Sequence, residues 1–372
     1  MIYDIAILGA GIHGAACADE ASSQGYKVIV LEQYDQAGLV TSSKSSKLIH
    51  GGLRYLETAR LGLVNECLHE RKYLLERYPE LVKLVAFHIP VYENTTRRPW
   101  LIRTGLIIYS LFSKKPFKII PENKWGQLDG LSTNNLQKVF QYFDAQTNDQ
   151  LLTQAVMASA RKKGAELLTN AKYESADCRN NQCVINYTHD KKNCRITCKA
   201  IINTTGPWVN NVLQSIQPKQ SYPDIDLVLG THIIIPGQLT QGMYYLESPD
   251  DKRAVFVMPW NNHILTGTTE RLYTGRPEDV EAPEDDIKYL LSVYNHYFDN
   301  PVSRNDVIDA YAGLRVLLSD NGSMFSRSRE ITIHHNDSPS ANVFTLYGGK
   351  LTTHRATAKQ LLKVIKRHLH RA

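Results

Sequence analysis

The chain has 372 residues, 42% hydrophobic and 22% charged, with a formal net charge of +6. That is length for about two domains with substantial cores, and the ordinary composition excludes a disordered or membrane-spanning class. The basic excess is dispersed, which favours anionic small molecules or an acidic membrane surface and points away from nucleic acid.

An apolar strand opens by the second residue, and nothing before it reads as a signal peptide. The stretch YDIAILGAGIHGAACADEASSQGYKVIVLEQ carries an apolar run from Ile5 to Leu8, then Gly9, Gly11 and Gly14 in the spacing G-x-G-x-x-G, an alanine-rich helix, and a second run from Val28 to Leu31 closed by Glu32. The glycines serve separate purposes. Gly9 makes the turn, Gly11 lets amides approach a pyrophosphate, and Gly14 lets the helix pack closely on the strand. The helix N-terminus offers unpaired amides to phosphates, and Glu32 is placed to accept ribose hydroxyls. An acid at that position disfavours a 2′-phosphate, so a dinucleotide other than NADP is expected.

The next segment, TSSKSSKLIHGGLRYLE from Thr41 to Glu57, crowds hydroxyls, cations and glycines into one loop. It stands where an NAD enzyme would normally continue into another crossover unit, and it suits a large cofactor lying extended. Further on, RRPWLIRTGLIIYSLFSKKPFK sets a short apolar run between basic flanks. It is too short for a bilayer span, which needs about twenty residues, but fits a helix lying in a membrane interface. A helix is expected from Asn148 to Lys163, followed by a small antiparallel meander to about residue 215. Cys178, Cys183, Cys194 and Cys198 lie in that meander without the paired spacing of a zinc site, and are expected to be strand thiols in a reducing cytosol, with no metal. Strands follow around Leu227 to Ile235, Met243 to Glu247, Arg253 to Pro259 and His263 to Thr268. The acidic run EDVEAPEDD reads as solvated capping acids before a helix from Glu284 to Phe298. Two further glycine turns, INTTGPW from Ile202 to Trp208 and YGGKLTT from Tyr347 to Thr353, each end an apolar strand. The second leads into a helix whose dipole suits negative charge on a reduced ring.

Taken in order, TSSKSSKLIHGGLRYLE, NTTGPWVN, GTHIIIP, VMPW, GTTE, YAGLR and YGGKLTTHR closely resemble the FAD-dependent (aerobic, respiratory) glycerol-3-phosphate dehydrogenases of the D-amino-acid-oxidase-like flavoprotein superfamily. The resemblance covers nearly the whole chain and implies an α/β fold. A discontinuous Rossmann-like FAD-binding domain (1–84, 145–215 and 304–372) would be joined to a mixed or antiparallel-sheet substrate domain (85–144 and 216–303). Longer members continue into a helical C-terminal domain past the point where this sequence reaches Ala372, so it reads as a short form.

The resemblance also assigns residues. Gly9, Gly11, Gly14 and Glu32 match the ADP-binding turn; Thr41, Ser42, Ser46, Lys47, Leu48, His50 and Gly51, with Gly52, match the loop along the pyrophosphate and flavin. Thr205, Gly206 and Trp208 match a second cofactor contact, and Gly348, Gly349, Lys350, Leu351 and Thr352 match the turn at the flavin's pyrimidine edge. Arg54, Tyr55 and Arg327 match the substrate site, with Arg54 and Arg327 as the phosphate clamp that suits guanidinium forks. Arg315 is expected near the reacting carbon. The implied reaction passes the C2 hydride of sn-glycerol 3-phosphate to flavin N5, giving dihydroxyacetone phosphate, with electrons going on to quinone. For the base, His232 is preferred slightly over His50, while Lys350 would need desolvation or a neighbouring cation. An oxygen-using oxidase, a related 2-hydroxy acid or amine oxidoreductase and a non-catalytic flavin-binding protein are the alternatives. The expected location is cytoplasmic, peripheral on the inner face of the membrane, with a homodimer among the partners to test.

Overall fold

The computed structural model describes residues 2–58, 60–319, 331–335 and 342–369. Strand β1 (Ile2–Leu8), helix α1 (Ile12–Ser23) and strand β2 (Val28–Leu31) form the expected opening unit. β1 pairs in parallel with β2 and, on its other side, with the strand Lys192–Asn203. The strand Val343–Tyr347 adds in parallel beyond Lys192–Asn203. Three strands thus end side by side at Leu8, Asn203 and Tyr347, each followed by one of the glycine turns read from the sequence. Ligand sites of open α/β sheets lie at such carboxyl ends.

α1 buries Ala15, Ala16, Cys17, Ala18 and Ala21, side chains small enough to seat it tightly between the sheet and the helices Asp149–Lys162 and His354–Leu369. The expected meander runs Ala171–Arg179, Gln182–His189 and Lys192–Asn203 with antiparallel pairing. One expectation fails there. Cys178 and Cys183 are joined in a disulfide rather than standing as free thiols, because they lie directly opposite across the hairpin and side chains of opposed residues share a face. Cys194 and Cys198 are free.

The second sheet is mostly antiparallel and includes Val82–Tyr92, Leu136–Thr147, Ile225–Ile235, Met243–Glu247, Ala254–Trp260 and His263–Gly267. Two more of its strands come from segments that the sequence boundaries place in the cofactor domain. Leu48–Ile49 pairs with Leu136–Thr147, and Asp309–Leu318 runs along Ile225–Ile235 over ten paired positions from Ile225 to Ile234. These crossings bring the hydroxyl-rich loop and Arg315 to the boundary between the sheets. Helix Glu284–Tyr297 covers this sheet's outer face with Ile287, Leu290, Leu291 and Tyr294.

Candidate active site

A continuous cavity of about 960 Å³ lies between the sheets. It is at the upper end of the roughly 300–1,000 Å³ typical of small-molecule sites. It is lined by Gly9, Gly11 and Glu32 of the opening unit, by Thr41, Ser42, Ser46 and Leu48 of the hydroxyl-rich loop, and by His50, Tyr55 and Arg315. Thr205, Gly206, Trp208 and the run Gly348, Gly349, Lys350, Leu351 and Thr352 complete its walls.

The dinucleotide end follows from the glycines. Gly9 turns at φ +90°, and a Cβ there would meet the Thr204 carbonyl at 3.0 Å. A Cβ on Gly14 would collide with the Gly9 carbonyl oxygen, so this glycine sits behind the wall and permits the helix–strand approach. Glu32 accepts from the Ala10 amide at 2.7 Å and the Tyr34 amide at 3.0 Å, leaving carboxylate lone pairs toward the cavity. Burial pushes this carboxyl up, and those backbone bonds oppose the shift.

The loop from Thr41 to Glu57 uses its hydroxyls differently from the expectation. Thr41 donates to the Leu314 carbonyl and Ser43 to the Leu39 carbonyl, while Ser42 Oγ accepts from the Ile12 amide at 2.9 Å. That α1 amide is therefore not unpaired: the loop itself caps it. Ser45 donates to Asp149 at 2.7 Å. Lys47 does not line the cavity; it is buried, donates to Asp149 at 2.6 Å and to the Ser43 carbonyl, and lies between the rings of Trp260 and Tyr311. Gly51 also sits behind the wall, its amide on Asp144, which is paired with the buried Arg71. A Cβ there would collide with the Tyr109 hydroxyl. Asp149, Asp144 and Arg71 support the loop, yet no motif marked them; only their buried hydrogen bonds to it and to one another reveal the role.

The family model described as FAD dependent oxidoreductase matches residues 4–363. The chain belongs to that family. This FAD-dependent oxidoreductase is 34% identical over 365 residues to the aerobic glycerol-3-phosphate dehydrogenase of Escherichia coli K12, covering 97% of this chain and 72% of that protein. It is also 34% identical over 374 residues to D-erythritol 1-phosphate dehydrogenase of Brucella abortus, covering 98% of this chain and 73% of the relative. The solved glycerol-3-phosphate dehydrogenase of Bacillus halodurans, complexed with FAD, matches with a TM-score of 0.78 at 22% identity, over 99% of this chain and 65% of that one.

FAD fits the residues present in this oxidoreductase. The cavity joins the phosphate-binding turn to a second glycine turn, where Gly348 and Gly349 both have positive φ. Thr352, one of the residues lining the cavity there, has a buried hydroxyl without a partner. His354 anchors that turn through the Leu351 carbonyl at 2.7 Å, and the last helix begins immediately after the lining residues.

The cavity wall also carries arginines, each paired with a carboxylate: Arg315 with Glu270, Arg253 with Asp251 and Arg97 with Glu247. Arg315 bonds Glu270 at 2.7 Å, and Arg253 donates to the Glu270 backbone carbonyl at 2.9 Å, so two guanidinium groups flank one acidic residue. Lys350 also lines the cavity, with its ammonium 4.1 Å from the Tyr55 ring centroid. Arg253 and Arg97 were missed in the sequence because a lone arginine in a loop or just before a strand carries no motif. Arg327 lies outside the described residues, and so does the Arg54 side chain.

His232 lies behind Ser46 and off the cavity wall. It is 1% exposed, does not line the cavity, stacks on Tyr311, and meets Ser46 Oγ through Nε2 at 2.9 Å. Its Nδ1 has no partner. The ring is pushed well below the ordinary imidazole range by burial first, then by Arg315 and Lys47. Of its neutral forms, the one that donates from Nε2 leaves only an acceptor unpaired, and orphaned acceptors are better tolerated than orphaned donors. Ser46, with its hydroxyl so held, is the group of this pair that lines the cavity.

Proposed function

We propose that this protein oxidises the secondary alcohol of a short polyol phosphate, sn-glycerol 3-phosphate foremost, to the corresponding ketone. The observation that carries this reading is the set of cations Arg315, Arg253, Arg97 and Lys350, which line the same cavity as His50, Tyr55 and the Gly348–Gly349 turn. The relatives' names support it, since both name polyol phosphates. FAD, when bound, supplies the acceptor for the C2 hydride. The chain's own groups do the rest. Arg315 and Lys350 stabilise charge at the substrate oxygens, Arg54 and Arg327 complete the phosphate clamp, and His50, which lines the cavity, takes the hydroxyl proton. Ser46 is part of the wall, and His232 holds it from behind.

Electrons are proposed to pass to a quinone at a membrane surface. Among the described residues, no helix is long and apolar enough to cross a membrane. Helix Pro99–Ser113, however, exposes Trp100, Leu101, Ile107, Leu111 and Phe112 between basic flanks, as an interfacial helix does. The direct test is an anaerobic absorbance titration of the purified holoprotein with sn-glycerol 3-phosphate. Bleaching of the oxidised flavin band by this compound, and not by glycerol, is expected; a band unchanged at saturating concentration overturns the substrate reading. Peroxide release under air would then separate oxygen from quinone as the acceptor.

A further inference from the structure

At the nucleotide end of the cavity, a segment of the second layer reaches across to the first. Trp208, in the turn after the strand Lys192–Asn203, donates its indole N–H to Glu278 Oε1 at 2.6 Å. Both residues line the cavity beside Glu32 and Tyr34. Burial pushes the Tyr34 phenol up, and the charges of Glu32 and Glu278 add to the shift, so both carboxylates lie near that ring.

The segment bearing Glu278 is held on both sides. Before it, the strand Arg271–Tyr273 pairs with Leu227–Leu229, and the Tyr273 hydroxyl donates to the Arg276 carbonyl at 2.9 Å. After it, Val280 and Ala282 pack on the cluster of Leu229, Ala312 and Leu314. Arg276 stands 3.6 Å from the second Glu278 oxygen. The acid is therefore presented from an anchored turn, and its indole partner begins the short helix that closes the glycine turn of the first sheet. Composition alone makes this acid one of a solvated run; the contact gives it a different role.

We infer that Glu278 is a cofactor-retaining residue: by holding the Trp208 indole, it fastens the second layer over the nucleotide end of the cavity and slows the departure of FAD. The inference rests on FAD binding and not on the substrate reading, so either can fail without the other. A charge-assisted hydrogen bond is stronger than a neutral one, but solvent at this exposed position limits its worth, so a modest kinetic effect is expected.

The test is the rate of FAD release from the holoprotein, read as the rise in flavin fluorescence after dilution, for wild type, Glu278→Ala, Glu278→Gln and Trp208→Phe. Release should accelerate roughly three- to tenfold in Glu278→Ala and Trp208→Phe, with Glu278→Gln between these and wild type because its amide oxygen still accepts. The Glu278→Ala, Trp208→Phe double variant should release no faster than the faster single variant, since both remove one interaction. Melting of the apoprotein should be unchanged. Wild-type release rates in Glu278→Ala, additive effects in the double variant, or an apoprotein Tm that falls in step with release would each overturn the inference.

Discussion

At the scale of single residues, two histidines of the same sequence quality differ in their access to the cavity. His50 lines the cavity, while His232 meets Ser46 behind it and is held neutral by burial and by neighbouring cations. His50→Asn is expected to lower kcat by about 10²- to 10⁴-fold with FAD content retained, the loss typical of a missing general base. His232→Asn should lower the melting temperature and reduce kcat by roughly tenfold or less, because it acts through Ser46 and the Tyr311 stack. Steady-state kinetics and flavin absorbance on both variants check this, and the reverse ranking would return His232 to the role of base. The same few residues show how much a pattern conveys. Gly9, Gly11, Gly14 and Glu32 were legible because their spacing is itself the geometry of the turn. Lys47 was not: a lysine in a phosphate-binding loop looks like a phosphate ligand until Asp149, 102 positions away, takes its charge at 2.6 Å.

Among the elements, helix Pro99–Ser113 is the least accounted for by packing. Leu106 and Tyr109 are its buried side chains, whereas Trp100 is 66% and Leu111 75% exposed. Its composition alone allowed a buried helix under basic caps. The exposure of Trp100, Ile107 and Leu111, which recur on one face at helical spacing, supports the interfacial reading. Leu111→Asp is expected to weaken binding to anionic lipid vesicles by roughly tenfold while leaving FAD content and the flavin-bleaching reaction intact. Co-sedimentation with vesicles measures it, and undiminished binding would place the membrane contact elsewhere. The acidic run before helix Glu284–Tyr297 divides in an instructive way. Asp286 turns inward to accept from Thr231 and Thr269, both at 2.7 Å, and pairs with Arg271, whereas the sequence presented it as one capping acid among several.

On the scale of the whole molecule, His88, His232 and His354 are buried, and burial is the first cause that pushes each imidazole below its ordinary range. The unfolded chain therefore takes up these protons before the folded one. Their contribution is complete above the ordinary histidine value of about 6.5 and is lost as pH falls below it, by up to about 1.4 kcal/mol per pH unit for each histidine. Denaturant midpoints should fall between about pH 7.5 and pH 5.5, and His354→Asn should flatten the slope. A midpoint that rises toward acid would show that other groups outweigh these three.

The sequence by itself determined the opening β1–α1–β2 unit, the three glycine turns at strand ends and the family, because these depend on local backbone conformation and on spacing within one segment. Only the tertiary structure decided which hydroxyls of the Thr41–Glu57 loop hold the scaffold, which histidine meets the cavity, and that Arg253 joins Arg315 around Glu270. It also decided that Cys178 and Cys183 close a hairpin and that Glu278 reaches Trp208. The physical reason is shared by all of them. Burial, charge pairing and cavity access are set by the partner that packing brings near, whether Leu314 for Thr41 and Asp149 for Lys47 from far along the chain or Cys178 for Cys183 across a hairpin, and no spacing motif records which partner that is.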